Sequence, residues 1–312
     1  MYVLGLDTSN YATSAAVFDG DRFSVCAFHK SFLSVEAGKT GLRQNDAVFL
    51  HTKNLPEAIA DISGNFDLRK IAAVAYSARP RDREDSYMPC FLCGLGLAQS
   101  LSAALGVPAY GFSHQAGHVM AALFGTGFAR ESKKDFLAFH VSGGTTDGLR
   151  CALDADKLGI ETAATSLDLF AGQAVDRIGC LLGLGFPAGP AMSALAAKGT
   201  GEDFMRPSLK GADCCLSGLE NQCRARIEAG AAPEDVARYC LLSVAATILA
   251  MTRALDDGGD VIYAGGVMSS ELIRAWLAQR VPRAKFCSPA YLSADNAVGT
   301  AILGARAVMA RA

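Results

Sequence analysis

Two histidines, His114 and His118, stand four residues apart at the start of an apolar run that continues to Leu123. The run predicts a helix, and residues four apart on a helix share one face, where two imidazoles can hold one divalent metal ion. We expect Asp295, which precedes another predicted helix, to be the third ligand. Three protein ligands leave coordination positions open, as a catalytic metal requires. The alternative is that both histidines line a polar helix face or cap a turn.

Three predicted strands end in turns whose residues can contact phosphate. Glycines let backbone N–H groups approach an anion closely, and a following helix N-terminus adds a favourable dipole. Glycine after a strand is usually only a turn, so each segment alone is a weak indication of nucleotide binding. The three segments are Asp7, Thr8 and Ser9; Ser142, Gly143, Gly144 and Thr145; and Gly265 with Gly266.

Strands and helices alternate along the chain, which predicts an α/β fold. Tight turns separate the first three strands, so we expect an antiparallel meander there. We place strands at 2–7, 13–18, 23–29, 71–77 and 108–112, and helices at 89–105 and at 46–63, the latter interrupted at Pro56.

A similar order of elements recurs in the second half of the chain. The predicted strands are 136–141, 147–153, 158–164 and 260–264, and the predicted helices are 168–182, 190–198 and 235–256. Such a duplication, with a cleft between the halves, describes the actin-like ATPase fold, built from two ribonuclease-H-like halves. We expect these halves at 1–125 and 126–294, with the helix 295–312 packing back on the first.

The composition sets limits on the class of protein. In 312 residues, 51% are hydrophobic, which supports a large core and argues against disorder. No apolar run of membrane-spanning length lacks charges or glycines, and the N-terminus is typical of a strand, so we expect a cytoplasmic protein without a membrane anchor. The net charge of −2 is unlike that of a basic nucleic-acid protein. Any contact with RNA is therefore expected through a local patch or a partner subunit.

Motifs throughout the chain resemble, in family order, the catalytic subunit of tRNA threonylcarbamoyladenosine synthase, the glycoprotease or O-sialoglycoprotein endopeptidase family. Several weak motifs in the right order are more specific than any one of them. The motifs are Gly5–Ser9, His114–His118, Ser142–Gly144, Asp176–Arg177, Leu182–Pro190, Ser217–Leu219, Ala264–Val267 and Asp295–Asn296.

The resemblance implies iron or zinc held by His114, His118 and Asp295. It also implies ATP, AMP or an acyl-adenylate as ligand, and transfer of a threonylcarbamoyl group to the exocyclic amine of a tRNA adenosine. Further partners implied are tRNA, reached through partner subunits, and a second copy or a related subunit as dimer partner. The ribose would lie on Asp176 and Gly189, and the phosphate or acyl group on Val141 to Gly144, with Ser270 at a position where the family has asparagine.

Several positions depart from the family pattern. Tyr11 and Ala12 replace an acidic pair, Thr145 replaces a histidine and Glu220 a lysine. Because these changes remove groups that face the acceptor, we interpret the chain as a divergent paralogue. In addition, Arg79 and Arg81, together with Arg43, can bind a carboxylate or phosphate, or they can belong to solvated charged loops.

Three functions remain open at this point. The first is a metal-dependent acyltransferase acting on tRNA or in a related carbamoyl transfer. The second is a nucleotide-binding and metal-binding scaffold that partners the true synthase, which the loss at Tyr11 and Ala12 favours. The third is a metalloprotease, which ranks last because Gln115 stands where zinc proteases place a glutamate beside the first histidine.

Overall fold

The computed structural model describes residues 1–9, 11–33, 42–83, 85–131, 133–155, 157–287, 292 and 297–311. The chain forms two compact units. The first comprises Met1–Lys134, Leu153–Gly159 and Ala294–Ala312, and the second comprises Asp135–Ala152 and Ile160–Ser293. The first unit therefore extends past residue 125, where the sequence placed the boundary.

Strands form one sheet of five in each unit and one short hairpin. They are β1 (Tyr2–Ser9), β2 (Ala12–Asp19), β3 (Ser24–Phe32), β4 (Ile71–Arg79), β5 (Ala109–Ser113), β6 (Lys134–Val141), β7 (Thr146–Leu153), β8 (Leu158–Ala164), β9 (Ser208–Lys210), β10 (Asp213–Cys215), β11 (Asp260–Ala264) and β12 (Ala284–Phe286).

The helices lie between and after these strands. They are α1 (Gln44–Asn65), α2 (Phe91–Leu105), α3 (His114–Thr126), α4 (Ala171–Leu181), α5 (Gly189–Ala196), α6 (Ser217–Glu228), α7 (Pro233–Leu255), α8 (Glu271–Ala278) and α9 (Val298–Met309).

The two large sheets have corresponding strand orders. The first is β3-β2-β1-β4-β5, and the second, taken in the same sense, is β8-β7-β6-β11-β12. In the first sheet β1, β2 and β3 pair antiparallel, whereas β4 pairs parallel to both β1 and β5. This confirms the predicted meander and the repeated order of elements.

Helices cover both faces of the first sheet. Side chains alternate along a strand, so Leu4 and Leu6 of β1 pack with Ala58 and Ile62 of α1. On the other face, a Cβ at Gly5 would lie 2.5 Å from the carbonyl oxygen of Ala297. Glycine at this position therefore lets α9 lie directly against β1.

Helix α1 continues without a break through Pro56, so the predicted interruption is wrong. Proline inside a helix costs about 3 kcal/mol, because one N–H is lost and the ring crowds the preceding turn. The buried residues of α1 recur every three or four positions and pack the helix against β2 and β3, which offsets that cost. They are Ala47, His51, Leu55, Ala58 and Ile62.

The core of the second unit surrounds α7, whose residues from Val236 to Leu249 are all buried apart from Arg238. In the described part of the chain, α7 is the one helix long and apolar enough to cross a membrane, with a mean hydropathy of 1.4, and 83% of that stretch is buried in protein. Burial on this scale is typical of a core helix.

All ten cysteines lie in the described ranges, and none is in a disulfide.

Arg306 of α9 ties three backbone carbonyls together inside the first unit. It donates to the carbonyl oxygens of Ala129, Glu131 and Asp154 at 3.0, 3.1 and 2.7 Å, and only 7% of the residue is exposed. Burial lowers the pKa of its guanidinium, partly opposed by the nearby charge of Asp154. The segment around Ala129 and Glu131 and the segment around Asp154 are thus anchored to α9.

We expect Arg306→Met to lower the free energy of unfolding by about 2 to 3 kcal/mol, because buried carbonyls lose their donors. Urea denaturation followed by circular dichroism measures this. Arg311→Met is the matched control, since Arg311 is exposed and contacts the ring of Tyr110 at 5.1 Å. A loss below about 1 kcal/mol is expected there. Equal losses in the two variants would contradict the anchoring role.

Candidate functional sites in the two units

The first unit brings Asp7, His114 and His118 together. The Oδ1 atom of Asp7, a fully buried residue, lies 2.8 Å from Nδ1 of His114. The Nε2 atoms of His114 and His118 are 2.9 Å apart, and the two rings meet edge to face. A carboxylate accepts hydrogen bonds, so the Nδ1 atom of His114 carries the proton. The Nε2 atom of His114 then has a lone pair, which points towards His118. Paired imidazole nitrogens backed by a carboxylate are typical of a metal site.

The position of α3 follows from its local sequence. Ser113 ends β5 and caps α3, its Oγ accepting from the backbone N–H of Ala116 at 3.1 Å. The cap starts the helix at His114, so the spacing of four places both imidazoles on one face, as predicted. The ring of Phe91, which is 2% exposed, lies 5.9 Å from that of His114 and shields it from solvent.

Helix α9 crosses α3 at two glycines. A Cβ at Gly299 would overlap the carbonyl oxygen of Gly117, and a Cβ at Gly117 would lie 2.8 Å from Oγ1 of Thr300. Asp295, the predicted third ligand, lies outside the described residues and stands two positions before Ala297 in the sequence. Within the described ranges, no group of three His, Cys, Asp or Glu side chains is arranged to hold a metal ion.

The predicted turn after Asp7 is wrong for Thr8 and Ser9, because β1 continues through both residues, opposite Thr13 and Ala12 of β2. The hydroxyl of Thr8 is fully buried; it donates to the carbonyl of Cys90 at 3.0 Å and accepts from the N–H of Gly94 at 3.2 Å. It therefore joins β1 to the start of α2.

His51 holds the end of β1 in place. Its Nε2 lies 2.9 Å from the carbonyl oxygen of Ser9, and its Nδ1 lies 2.8 Å from Oγ1 of Thr13. A carbonyl only accepts, so Nε2 carries the proton and Nδ1 accepts from threonine. His51 is thus a structural residue. His29 pairs with Asp61 at 2.8 Å.

We expect acid to destabilise the protein through His51. Burial lowers the pKa of this imidazole from 6.5. The hydrogen bond to the carbonyl of Ser9 and the charge of Asp7 raise the pKa, but burial has the larger effect. Below about pH 6.5 the unfolded chain binds a proton at His51 that the folded protein excludes. The free energy of unfolding is therefore at its full value above this pH and decreases as the pH falls. Urea denaturation between about pH 7.5 and 5.5 should show this slope, and His51→Asn should flatten it. An unchanged slope in that variant would contradict the assignment.

The second unit contains a pocket of about 290 Å³ lined by residues from several predicted motifs. Gly143 comes from the turn after β6, Gly266 and Ser270 from the segment after β11, and Asp176 and Gly189 from α4 and α5. Apolar side chains, among them Val175 and Leu241, complete its wall. A mostly apolar pocket with a few polar groups is typical of a site for a small-molecule ligand or cofactor.

Glycines bring the backbone segments around this pocket into close contact. The turn after β6 closes through the N–H of Ser142, which donates to the carbonyl of Thr145 at 2.8 Å. A Cβ at Gly172 would lie 2.5 Å from the nitrogen of Gly143, and one at Gly265, where φ is 100°, would overlap the carbonyl oxygen of Val141. Gly265 follows a predicted strand and was expected here from the sequence, whereas Gly172 lies inside a predicted helix and was not.

Asp176 and Ser270 supply polar atoms to the pocket, whose lining also includes Ser193 and Ser269. The N–H of Ala188 donates to Oδ1 of Asp176 at 2.8 Å. Burial raises the pKa of the Asp176 carboxyl, while the N–H groups of Ala188 and Gly189 oppose the shift. Ser270 is 5% exposed, and its Oγ has no hydrogen-bond partner among the residues that the structure describes. A buried hydroxyl without a partner is costly, which indicates a place for a polar ligand atom.

Other predicted residues support this pocket without lining it. Val141 ends β6 and Gly265 follows the parallel strand β11. The N–H of Gly144 donates to Oγ of Ser142 at 3.3 Å. The arginine-rich segment after β4 pairs internally: Arg79 with Asp82 at 2.7 Å and Arg83 with Asp85 at 2.8 Å. These pairs are typical of a solvated charged loop.

The family model of tRNA N6-adenosine threonylcarbamoyltransferase matches residues 37–301. The chain belongs to this family. A tRNA N6-adenosine threonylcarbamoyltransferase of Bordetella avium (strain 197N) is 30% identical over 331 residues, covering 99% of this chain and 92% of that protein. The protein is therefore an acyltransferase of a tRNA-modifying family, which confirms the predicted family and enzyme class.

Solved structures with a similar backbone show the fold. HypF of T. kodakarensis has a TM-score of 0.64 at 17% identity, covering 99% of this chain and 48% of that one. Component A of the (R)-2-hydroxyglutaryl-CoA dehydratase of Acidaminococcus fermentans has a TM-score of 0.58 at 17% identity, covering 98% of each chain. At this identity the likeness shows the fold alone. It confirms the predicted actin-like ATPase fold of this threonylcarbamoyltransferase family member.

Proposed function

We propose that this protein transfers a threonylcarbamoyl group from an acyl-adenylate to the exocyclic amine of a tRNA adenosine, with one divalent metal ion at His114 and His118. The observation that carries the proposal is the row Asp7–His114–His118, with successive separations of 2.8 and 2.9 Å. A metal-binding scaffold or a metal-dependent hydrolase would use the same row, so the row supports the metal ion and leaves the choice of reaction to the family. The family supplies the reaction class.

The donor set fits the proposed metal. Imidazole nitrogens bind both iron and zinc, and a carboxylate behind a ligating histidine fixes its tautomer and raises its basicity. We propose Asp295 as the third ligand, which leaves coordination positions for substrate. His114 and His118 would hold the ion, which would supply polarisation of the carbonyl that is attacked. Asp7 keeps His114 in the ligating tautomer, because its carboxylate accepts a hydrogen bond from the Nδ1–H group.

We propose that the adenylate lies in the pocket of the second unit. The carboxylate of Asp176 accepts from the ribose hydroxyls, next to Gly189, and the apolar residues Val175 and Leu241 contact the base. The glycine turns at Gly143 and Gly266 let backbone N–H groups approach the phosphate. The buried Oγ of Ser270 pairs with a polar atom of the ligand.

The reaction balances as an acyl transfer. The adenosine amine attacks the carbamoyl carbonyl carbon, a C–N bond forms, and the C–O bond to the adenylate phosphate breaks. The amine loses one proton, and AMP leaves with the electron pair of the broken bond. Donors at Gly143 and Gly266 stabilise the charge that gathers on the leaving phosphate.

We propose tRNA as the acceptor and a partner subunit, related or identical, as part of the working enzyme in the cytoplasm. The net charge of −2 supports a partner's contribution to RNA binding, since the chain lacks an overall basic character. The family match does not favour the scaffold alternative, although Tyr11 and Ala12 replace the acidic pair of the resemblance.

The test is complementation in cells depleted of their own threonylcarbamoyltransferase, with tRNA nucleosides measured by mass spectrometry. Wild-type protein is expected to restore threonylcarbamoyladenosine, and His114→Ala is not. Arg274→Ala, on α8 and outside both sites, is the control and should restore it fully. Rescue by His114→Ala would overturn the proposed metal site, because transfer would then proceed without this imidazole. Failure of folded wild-type protein would overturn the tRNA substrate.

A further inference from the structure

A second cavity lies in the second unit, built from residues that the proposed reaction does not use. It is an open cavity of about 260 Å³ lined by residues of α7, the end of α8 and the segment 201–207. Its lining shares no residue with the nucleotide pocket.

The walls of the cavity are apolar and fixed. Leu249 and Trp276 are 5% and 7% exposed, and the ring of Phe204 meets that of Trp276 edge to face at 5.6 Å. Ala250 also lines the cavity, and this small side chain leaves room beside Leu249 on α7. The N–H of Met205 donates to Oγ of Ser243 in α7 at 2.9 Å, which holds Phe204 at the rim.

Two guanidinium groups stand at this apolar cavity. Arg280 lies over the ring of Trp276 at 3.8 Å from its centroid and donates to the Trp276 carbonyl at 3.0 Å. Arg253 of α7 lines the cavity as well. Within the described part of the chain, neither arginine forms an ion pair with an acidic side chain. Positive charge beside an apolar wall is complementary to an anion carried on an apolar body.

We propose that this cavity binds a small organic acid that joins an aromatic or branched aliphatic group to one carboxylate. The apolar group lies between Trp276, Phe204 and Leu249, and the carboxylate is held by Arg253 and Arg280. Stacking on Trp276 pre-organises the guanidinium of Arg280, so little side-chain freedom is lost on binding. The site is independent of the proposed acyl transfer and places a second ligand on the same unit.

The test uses the emission of Trp276, the one tryptophan of the chain, with calorimetry as a second readout. We expect 3-phenylpropionate to change this emission saturably, and the neutral 3-phenyl-1-propanol to bind at least tenfold more weakly. Equal binding of the acid and the alcohol, or no saturable change with the acid, would overturn the proposal. Tenfold tighter binding of Gly-Gly-Gly-Phe than of 3-phenylpropionate would also overturn it, because the ligand would then be a protein chain end.

Variants locate the site. Arg253→Ala and Arg280→Ala should each weaken 3-phenylpropionate about tenfold by calorimetry, and Ala250→Phe should abolish binding by filling the cavity. Arg274→Ala is the matched control: this arginine lies on α8 against the ring of Phe286 and outside the cavity lining. Thermal unfolding confirms that each variant is folded. An equal loss in Arg274→Ala and Arg253→Ala would show a general charge effect and overturn the assignment.

Discussion

His118→Ala is expected to lower the metal content of the purified protein from about one ion per chain to a small fraction of it. Threonylcarbamoyl transfer should fall on the order of 10³-fold, because the ion of the proposed site would supply several kcal/mol of transition-state stabilisation. The physical reason is geometric: the Nε2 atoms of His114 and His118 are 2.9 Å apart, so both can contact one ion, and a single imidazole cannot retain it. Elemental analysis by mass spectrometry and a single-turnover transfer assay measure the two effects.

Two further variants make the result specific. His29→Ala removes an imidazole that pairs with Asp61, and it should leave metal content and transfer unchanged. Asp7→Asn keeps the shape of the side chain but removes its charge, so His114 is held in the ligating tautomer less firmly. A loss of about 10- to 100-fold in metal affinity or transfer is expected. Full metal content in His118→Ala would refute the assigned site.

The sequence predicted those parts of the site that depend on local spacing. His114 and His118 share one face because a helix begins at the Ser113 cap. Strands whose apolar runs end abruptly in the sequence were predicted with the correct bounds. Strands β8 and β11, for example, occupy the predicted residues 158–164 and 260–264. The turns after β6 and β11 also lie where they were predicted, because glycine stands in the sequence where the chain turns after each strand. In each case a few neighbouring residues determine where the helix, strand or turn begins and ends.

The contacts missed are those that join distant parts of the chain. The bond from Asp7 to His114 spans 107 residues and depends on β4 lying between β1 and β5. Asp7 was predicted as a phosphate residue, and no local pattern distinguishes that role from support of a histidine. The hairpin β9–β10 and β12 were also not predicted, because strands of three residues carry too little alternation to identify.

Gly299→Ala is expected to destabilise the first unit by about 3 kcal/mol, the upper part of the usual range for overpacking. The new Cβ would overlap the carbonyl oxygen of Gly117 and lie 2.7 Å from the nitrogen of Ala121. Both neighbours are backbone atoms of α3, so the two helices must separate, whereas a side chain could simply rotate. Because α3 carries both histidines, metal content should fall as well. Urea denaturation and elemental analysis measure the two effects.

Gly96→Ala is the matched control, a helical glycine in α2 with nothing within 4 Å of the added Cβ. Alanine is the better helix former, so this variant should gain about 0.5 to 1 kcal/mol and keep its metal. The opposite signs separate steric overlap from helix propensity, which acts identically in both variants. A Gly299→Ala protein as stable as Gly96→Ala would mean that α3 and α9 do not touch as described. The packing that holds His114 and His118 beside the start of α9 would then need a different explanation.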